Sequence, residues 1–431
     1  MEKDLNSALL CQIASSPTAF HAVDTARRAL EAEGFAALDL AAAWQLVPGG
    51  RYFLTVNGST LLAFRLPQGA PTGFLVSAAH SDAPCFQIKP GCEGAAGPYV
   101  RLSTERYGGA LLNTWFDRPL AIAGRVLAAE DGAVVSHLVG PIESAAIIPS
   151  VAPHLNAEAN SGFKPNPAVD LQPLWTLSGG EGTLLQRVAA AAGVSAGDIL
   201  GHDLYLVNTQ PGAVVGGRGE FLCAPRLDDL ACAFGCLEGF LAAQGSRAVS
   251  VYCLFDNEEV GSATKQGAAS TLLHSVLRRI ADSCGCDLAR LLPTSFLVSA
   301  DNAHAIHPNH PELSDPLNAP VLNGGVVVKY NANRRYTTDG VSAALFKQLC
   351  REAQVPVQRY ANRADLPGGS TLGSIATTQT PVQAVDIGLA QLAMHSSFET
   401  MGSDDYARLV GVMTAFYTKS LTTGGESWQW M

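Results

Sequence analysis

Imidazoles and carboxylates recur at short spacings along this chain: His80 with Asp82, Asp228 with Asp229, Glu258 with Glu259, Asp301 with His304, and finally His395. Imidazole nitrogens and carboxylate oxygens form a mixed donor set that suits Zn, Mn or Co. Gathering so many carboxylates in one place without cations is costly, because like charges in a low dielectric repel strongly. In a two-metal hydrolase the ions lie about 3.5 to 4 Å apart, so one shared carboxylate and two further ligands per ion suffice. Neighbouring residues at a strand end point in different directions, so of Glu258 and Glu259 one can hold metal while the other moves protons. Any single Asp at a strand end also serves as an ordinary cap or turn residue. It is their joint occurrence that points to a metal centre.

The elements that must position these residues can be read from hydrophobic patterning. The run Gly73 to Ala79 is almost wholly apolar, as a strand buried on both faces should be, and it ends at His80, Ser81 and Asp82. Val249 to Phe255 repeats the pattern and stops at Asp256, Asn257, Glu258 and Glu259; Ser295 to Ala300 stops at Asp301; Val382 to Ile387 comes shortly before His395. Ligands in open α/β sheets sit outside the carboxyl ends of strands, where residues distant in sequence converge. Two helices are expected before the first strand, from about Asp4 to Ile13 and from Ser16 to Gly34, and a helix is expected through Leu230, Phe234, Leu237 and Leu241. From about Gly91 to Leu222 the texture changes to short alternating segments broken by Gly and Pro, which reads as an inserted all-β domain. The expected class is therefore α/β, a catalytic domain (1–90 and 224–431) with a central mixed sheet flanked by helices, interrupted by a β-rich domain (91–223).

Bulk composition limits the partners. With 28 Lys and Arg against 38 Asp and Glu the net charge is −10, which disfavours nucleic acid and anionic membrane surfaces. No stretch of about 18 consecutive apolar residues predicts a membrane span. Ten Cys without a CxxC pair, and an N-terminus without a basic and then apolar leader, fit the reducing cytoplasm. Apolar residues at 47% against 15% charged suggest extensive buried area or subunit contacts.

At these same residues the sequence resembles the M18 metallopeptidases, the aspartyl aminopeptidase family, over nearly its whole length. The matching segments are SAAHSDAP (77–84), YGG (107–109), TWFDR (114–118), APRLDDL (224–230), LFDNEEVGS (254–262), SADNAHAIHPN (299–309) and QLAMHS (391–396). The resemblance implies two divalent ions per subunit, Zn with Co or Mn as alternatives. One would be held by His80, Asp228 and Asp301, the other by Asp228, Glu259 and His395. It further implies that Glu258 is the general base and that Asp82 orients His80. His304, Lys329 and Tyr336 would contact substrate, Lys329 by pairing with an acidic side chain, and His154 would reach a neighbouring subunit's site. The implied activity is removal of Asp or Glu from peptide N-termini, and the implied assembly is a dodecamer built from dimers through the β-rich domain.

Three departures from the family pattern stand out. Asp229 occupies a position where Asn is common; Asn156 and Ala157 follow His154–Leu155 where an Arg is common; and DLPGGSTLG (365–373) replaces a DTPCGSTIG-type segment, with Leu366 and Gly368 substituted. A neutral or broad-specificity aminopeptidase, another amidohydrolase on the same metal centre, and a catalytically silent peptide-binding shell are the competing readings. Snorkelling of Lys329 to solvent is the alternative to its pocket role.

Overall fold

The computed structural model describes residues 4–431. Its spine is a nine-stranded sheet in the order Ala36–Ala37, Arg51–Val56, Thr60–Arg65, Val249–Phe255, Phe74–His80, Phe296–Ala300, Gln383–Gly388, Val326–Tyr330, Val357–Ala361. The four strands from Val249–Phe255 to Gln383–Gly388 are parallel neighbours, and all but one of their residues are buried. Burial on both faces is why the sequence runs are continuously apolar instead of alternating. All four strands point the same way, so His80, Asp256 to Glu259 and Asp301 emerge along one edge of the sheet.

Helices cover both faces. On one face Leu5–Ala14, Ala19–Ala32, Leu227–Ala242, Gly340–Glu352 and Asp405–Phe416 share a core with the sheet; on the other, Leu272–Ser283 and Leu372–Gln379 do so. Asp4 starts the first helix, its carboxylate accepting hydrogen bonds from the N–H groups of Asn6 and Ser7.

A separate closed barrel is formed by Ile199–Val207, Cys85–Ala96, Tyr99–Tyr107, Leu174–Leu177, Ala133–Ile147 and Pro119–Glu130, around its own core of Phe86, Leu102, Ile122, Leu204 and others. The inserted region is β-rich but not all-β, since Thr183–Ala192 is a helix whose Leu184 and Val188 plug the barrel core. A five-stranded sheet of Ala213–Val215, Phe221–Ala224, Glu399–Gly402, Ala390–Leu392 and Ala303–His304 lies beside the carboxyl edge of the main sheet. No helix among the described residues is long and apolar enough to cross a membrane.

Candidate metal centre

Asp228 and Asp229 do not follow a strand of the large sheet, as their grouping with the strand-end residues anticipated. They open the helix Leu227–Ala242, with non-helical backbone at both residues and a cis peptide between them. The two oxygens of the Asp228 side chain face different partners in the strand-end crevice. His80 Nε2 lies 3.7 Å from Asp228 Oδ1, and His395 Nε2 lies 3.4 Å from Asp228 Oδ2. Glu259 Oε2 is 3.4 Å from the same His395 nitrogen. Donor atoms on one tetrahedral ion at about 2.0–2.2 Å stand about 3.3–3.6 Å apart, so the two 3.4 Å spacings at His395 leave room for a shared cation and the 3.7 Å one at His80 is slightly wider.

Each of these side chains is held by its neighbours. His80 Nδ1 is 3.0 Å from the Asp82 carbonyl oxygen and His395 Nδ1 is 3.2 Å from the Gly109 carbonyl oxygen; donating there leaves both Nε2 atoms as lone-pair donors facing Asp228. The Asp82 carboxylate lies farther from His80, at 3.5 Å, and accepts instead from the backbone N–H groups of Glu258 and Glu259, both at 3.1 Å, and from the Tyr107 hydroxyl at 2.7 Å. It thereby fixes the turn that presents both glutamates. Gly108, at φ 68°, carries the barrel rim against this turn, where a β-carbon would stand 3.0 Å from Glu259 Cβ.

The tightest groupings are His80, Asp228 and Glu259, and Asp228, Asp229 and Asp301, each with donor atoms within 4.8 Å of one another. Asp228 is common to both. Asp229 Oδ2 accepts from the His80 backbone N–H at 3.2 Å. Asp228 Oδ1, Asp229 Oδ1 and Glu259 Oε1 are buried without a hydrogen-bond donor. Orphaned buried acceptors cost about 1–3 kcal/mol each, and more when charged; divalent cations are the partners that this donor set fits.

The field in the crevice calls for positive charge. Burial pushes the Glu259, Asp229 and Asp301 carboxyls up, with neighbouring carboxylates adding to the effect and nearby His or Lys opposing it. Burial opposes ionisation of Asp228 too, but the positive charge that His395 and His80 carry when protonated outweighs it and holds that carboxyl well below the usual range. Glu258 is pushed up to about 8, first by desolvation, with His80 opposing and Asp301 adding to the rise. Burial would lower the His395 pKa, yet Asp228 and Glu259 raise it to about 10.

The floor and walls of the adjoining cleft, about 300 Å³ in volume, include His304, Lys329, Tyr336 and Tyr360. Lys329 does not snorkel; it is 2% exposed and donates to the carbonyls of Asp301 (2.7 Å) and Asn302 (3.1 Å), with Asp301 Oδ2 at 3.6 Å and the Tyr336 ring centre at 5.2 Å. Desolvation disfavours its charge, but Asp301, Tyr336 and Asp386 more than compensate, so it stays an ammonium. Desolvation lowers the His304 pKa, and the ring packs edge-on to Tyr360. His154 is exposed, in the turn-rich segment 150–172, and does not line its own chain's cleft.

Sequence reading missed Glu399. It is 1% exposed, and its carboxylate accepts from the N–H groups of His395 (2.7 Å) and Asp228 (3.0 Å), tying both residues to one strand. Asn302 and Gln391 extend the network, Asn302 donating to Gln391 Oε1 at 2.6 Å and Gln391 to Glu399 Oε1 at 3.3 Å. A carboxylate in the polar stretch SSFET gives no patterning signal that separates it from a loop residue.

Residues 12–417 match the model of the aminopeptidase I zinc metalloprotease (M18) family. The chain belongs to the M18 family. A probable M18 family aminopeptidase 2 of Pseudomonas aeruginosa is 42% identical over 428 residues, covering 97% of this chain and 99% of the relative. One from Clostridium novyi is 42% identical over 421 residues, covering 95% and 97%. Among solved structures, the mApe1 dodecamer of S. cerevisiae superposes with a TM-score of 0.85 at 31% identity, covering 96% of each chain, and Chaetomium thermophilum mApe1 with 0.86 at 30%, covering 96% and 97%. As an M18 protein the chain is a metal-dependent aminopeptidase, a peptide hydrolase.

Proposed function

We propose that this M18 aminopeptidase removes N-terminal Asp and Glu from peptides at a centre of two divalent ions. His80, Asp228 and Asp301 hold one ion, and Asp228, Glu259 and His395 hold the other. The observation that carries this reading is the Asp228 carboxylate, whose two oxygens face two different imidazoles as a bridging ligand must. Zinc is the first choice given the N/O donor set, with Co or Mn as alternatives.

When bound, the ions supply Lewis acidity that polarises the scissile carbonyl and acidifies the attacking water. Glu258 takes a proton from that water and returns it to the leaving amine. Asp82 positions Glu258 and Glu259 through their backbone N–H groups. Lys329 is the single Lys or Arg lining the cleft among the described residues, and the ammonium hydrogen not given to the two carbonyls meets the substrate carboxylate beside Tyr336. His304 contacts the substrate at the same wall. His154 serves a neighbouring subunit, within a dodecamer assembled from dimers through the β-rich domain 91–223, as expected for a chain that superposes on the mApe1 dodecamer. Peptides with a free N-terminus are the substrates, and the cytoplasm is the proposed compartment.

The bonds from Lys329 to two carbonyls favour a second reading, a neutral or broad-specificity aminopeptidase in which Lys329 only braces Asp301. Rates on aspartyl, glutamyl, leucyl and lysyl amides decide between them. The acidic reading expects the first two to be preferred by about tenfold or more; a leucyl preference overturns it.

A further inference from the structure

The turn that carries Glu258 and Glu259 begins at Asn257, whose backbone is left-handed at φ 65° and ψ 24°. Asn tolerates this conformation better than most residues, but its carboxamide does more than permit the turn. Oδ1 accepts from the Thr264 hydroxyl at 2.8 Å and from Gln266 Nε2 at 2.9 Å. With the oxygen so occupied, Nδ2 faces the other way and donates to the Tyr107 hydroxyl oxygen at 3.0 Å. A phenol has one hydrogen to give, and a carboxylate only accepts. Tyr107 therefore gives its hydrogen to Asp82 Oδ2, at 2.7 Å.

Asp82 closes the circuit. Its Oδ1 accepts from the N–H of Glu258, which belongs to the peptide bond leaving Asn257, and its Oδ2 from the N–H of Glu259, both at 3.1 Å. Asp82, Tyr107, Asn257 and the Glu258 backbone thus form a closed ring of hydrogen bonds. A carboxylate held by the two N–H groups alone can swing about its Cβ–Cγ bond, a soft torsion, and tilt the turn with it. A third donor from outside the turn fixes it. That donor comes from the barrel: Tyr107 ends the strand Tyr99–Tyr107, and its ring meets Tyr205 of the strand Ile199–Val207 edge-on at 6.0 Å. Glu258 lines the metal cleft, whereas Asp82, Tyr107 and Asn257 do not.

We propose that Tyr107 and Asn257 are positioning residues for the general base. The barrel hydroxyl and the turn carboxamide, acting through Asp82, set the direction from which Glu258 meets the attacking water. The proposal rests on Glu258 as the base, but not on which N-terminal residue is preferred. Since neither residue reaches the cleft, their loss belongs in kcat and not in KM.

The test is a cycle of Tyr107→Phe and Glu258→Gln in the metal-loaded enzyme, on whichever aminoacyl amide it cleaves best. Tyr107→Phe removes only the hydroxyl and keeps the ring against Tyr205. Its kcat should fall by about ten- to a hundredfold, the scale of one hydrogen bond to a charged group, with KM and bound metal near wild type. In the Glu258→Gln background the same change should alter kcat by less than about twofold, because residues that act as a unit are not additive. A merely structural role lowers both backgrounds by the same factor. Asn257→Gly keeps the left-handed backbone. It should cost about two- to tenfold in the wild type, the scale of a neutral hydrogen bond, and nothing further beside Glu258→Gln. Wild-type kcat in Tyr107→Phe, equal losses in both backgrounds, or loss of metal in step with kcat would overturn the proposal. Wild-type kcat in Asn257→Gly would overturn the part given to Asn257. Near-normal kcat in Glu258→Gln alone would instead overturn the base reading, and this proposal with it.

Discussion

Asp82 works in the crevice through two different groups. Its carbonyl oxygen lies within hydrogen-bond reach of the His80 ring, and its carboxylate holds the backbone of the glutamate pair. The resemblance pointed to Asp82 as the group that orients His80, but which atom does so depends on backbone geometry that no motif encodes. Glu258 is outside both of the tightest donor groups, so Glu258→Gln should bind metal as the wild type does while kcat falls by about a hundred- to ten-thousand-fold. Metal content and steady-state rates measured together check this, and a variant with near-normal kcat would remove Glu258 from the base role. A second prediction concerns His21, 8% exposed beside Thr18 at 2.9 Å. Burial lowers its pKa to about 4 from 6.5, with Arg226 and Arg28 adding to the drop and Asp24 opposing it. The unfolded chain therefore binds the proton more readily, and the stability present above pH 6.5 is lost as pH falls toward 4. Between pH 7 and pH 5 the wild type should lose about 2 kcal/mol more than His21→Gln, measured by denaturant unfolding.

At the scale of elements, the buried parallel strands were legible because each apolar run stops abruptly at a polar cluster. Phe74–His80, Val249–Phe255 and Phe296–Ala300 lie where the patterning put them. The helix carrying Leu230, Phe234 and Leu237 was also legible, but its start was not. Asp228 and Asp229 read as strand-end residues because an irregular helix entrance has no hydrophobic period. The helix Thr183–Ala192 escaped because it lies among Gly and Pro punctuation typical of hairpins. Gly239 shows how tightly the helix behind the metal centre is packed. A β-carbon there would stand 2.5 Å from Met413 Cβ and 2.9 Å from the Met413 carbonyl carbon, on the helix Asp405–Phe416. Gly239→Ala should therefore destabilise the fold by about 1–3 kcal/mol despite alanine's better helix propensity. An unchanged denaturation midpoint would show that the two helices separate more easily than their packing implies.

At the scale of the whole molecule, the barrel and the sheet meet where the chemistry sits. Tyr107 and Gly109 come from the end of the barrel strand Tyr99–Tyr107 and the loop after it, yet Tyr107 donates to Asp82 and the Gly109 carbonyl faces the His395 ring. Glu399, from the third sheet, ties Asp228 to His395. Such convergence of three sheets is not legible in one sequence, because each contact depends on how separate layers pack. The most direct test is a diffraction experiment on metal-loaded crystals with anomalous data collected at the edge of the added metal. The account predicts two peaks, one among His80, Asp228 and Asp301 and one among Asp228, Glu259 and His395, with the Asp228 carboxylate touching both. A single peak under saturating metal, or two peaks that Asp228 does not join, would contradict it.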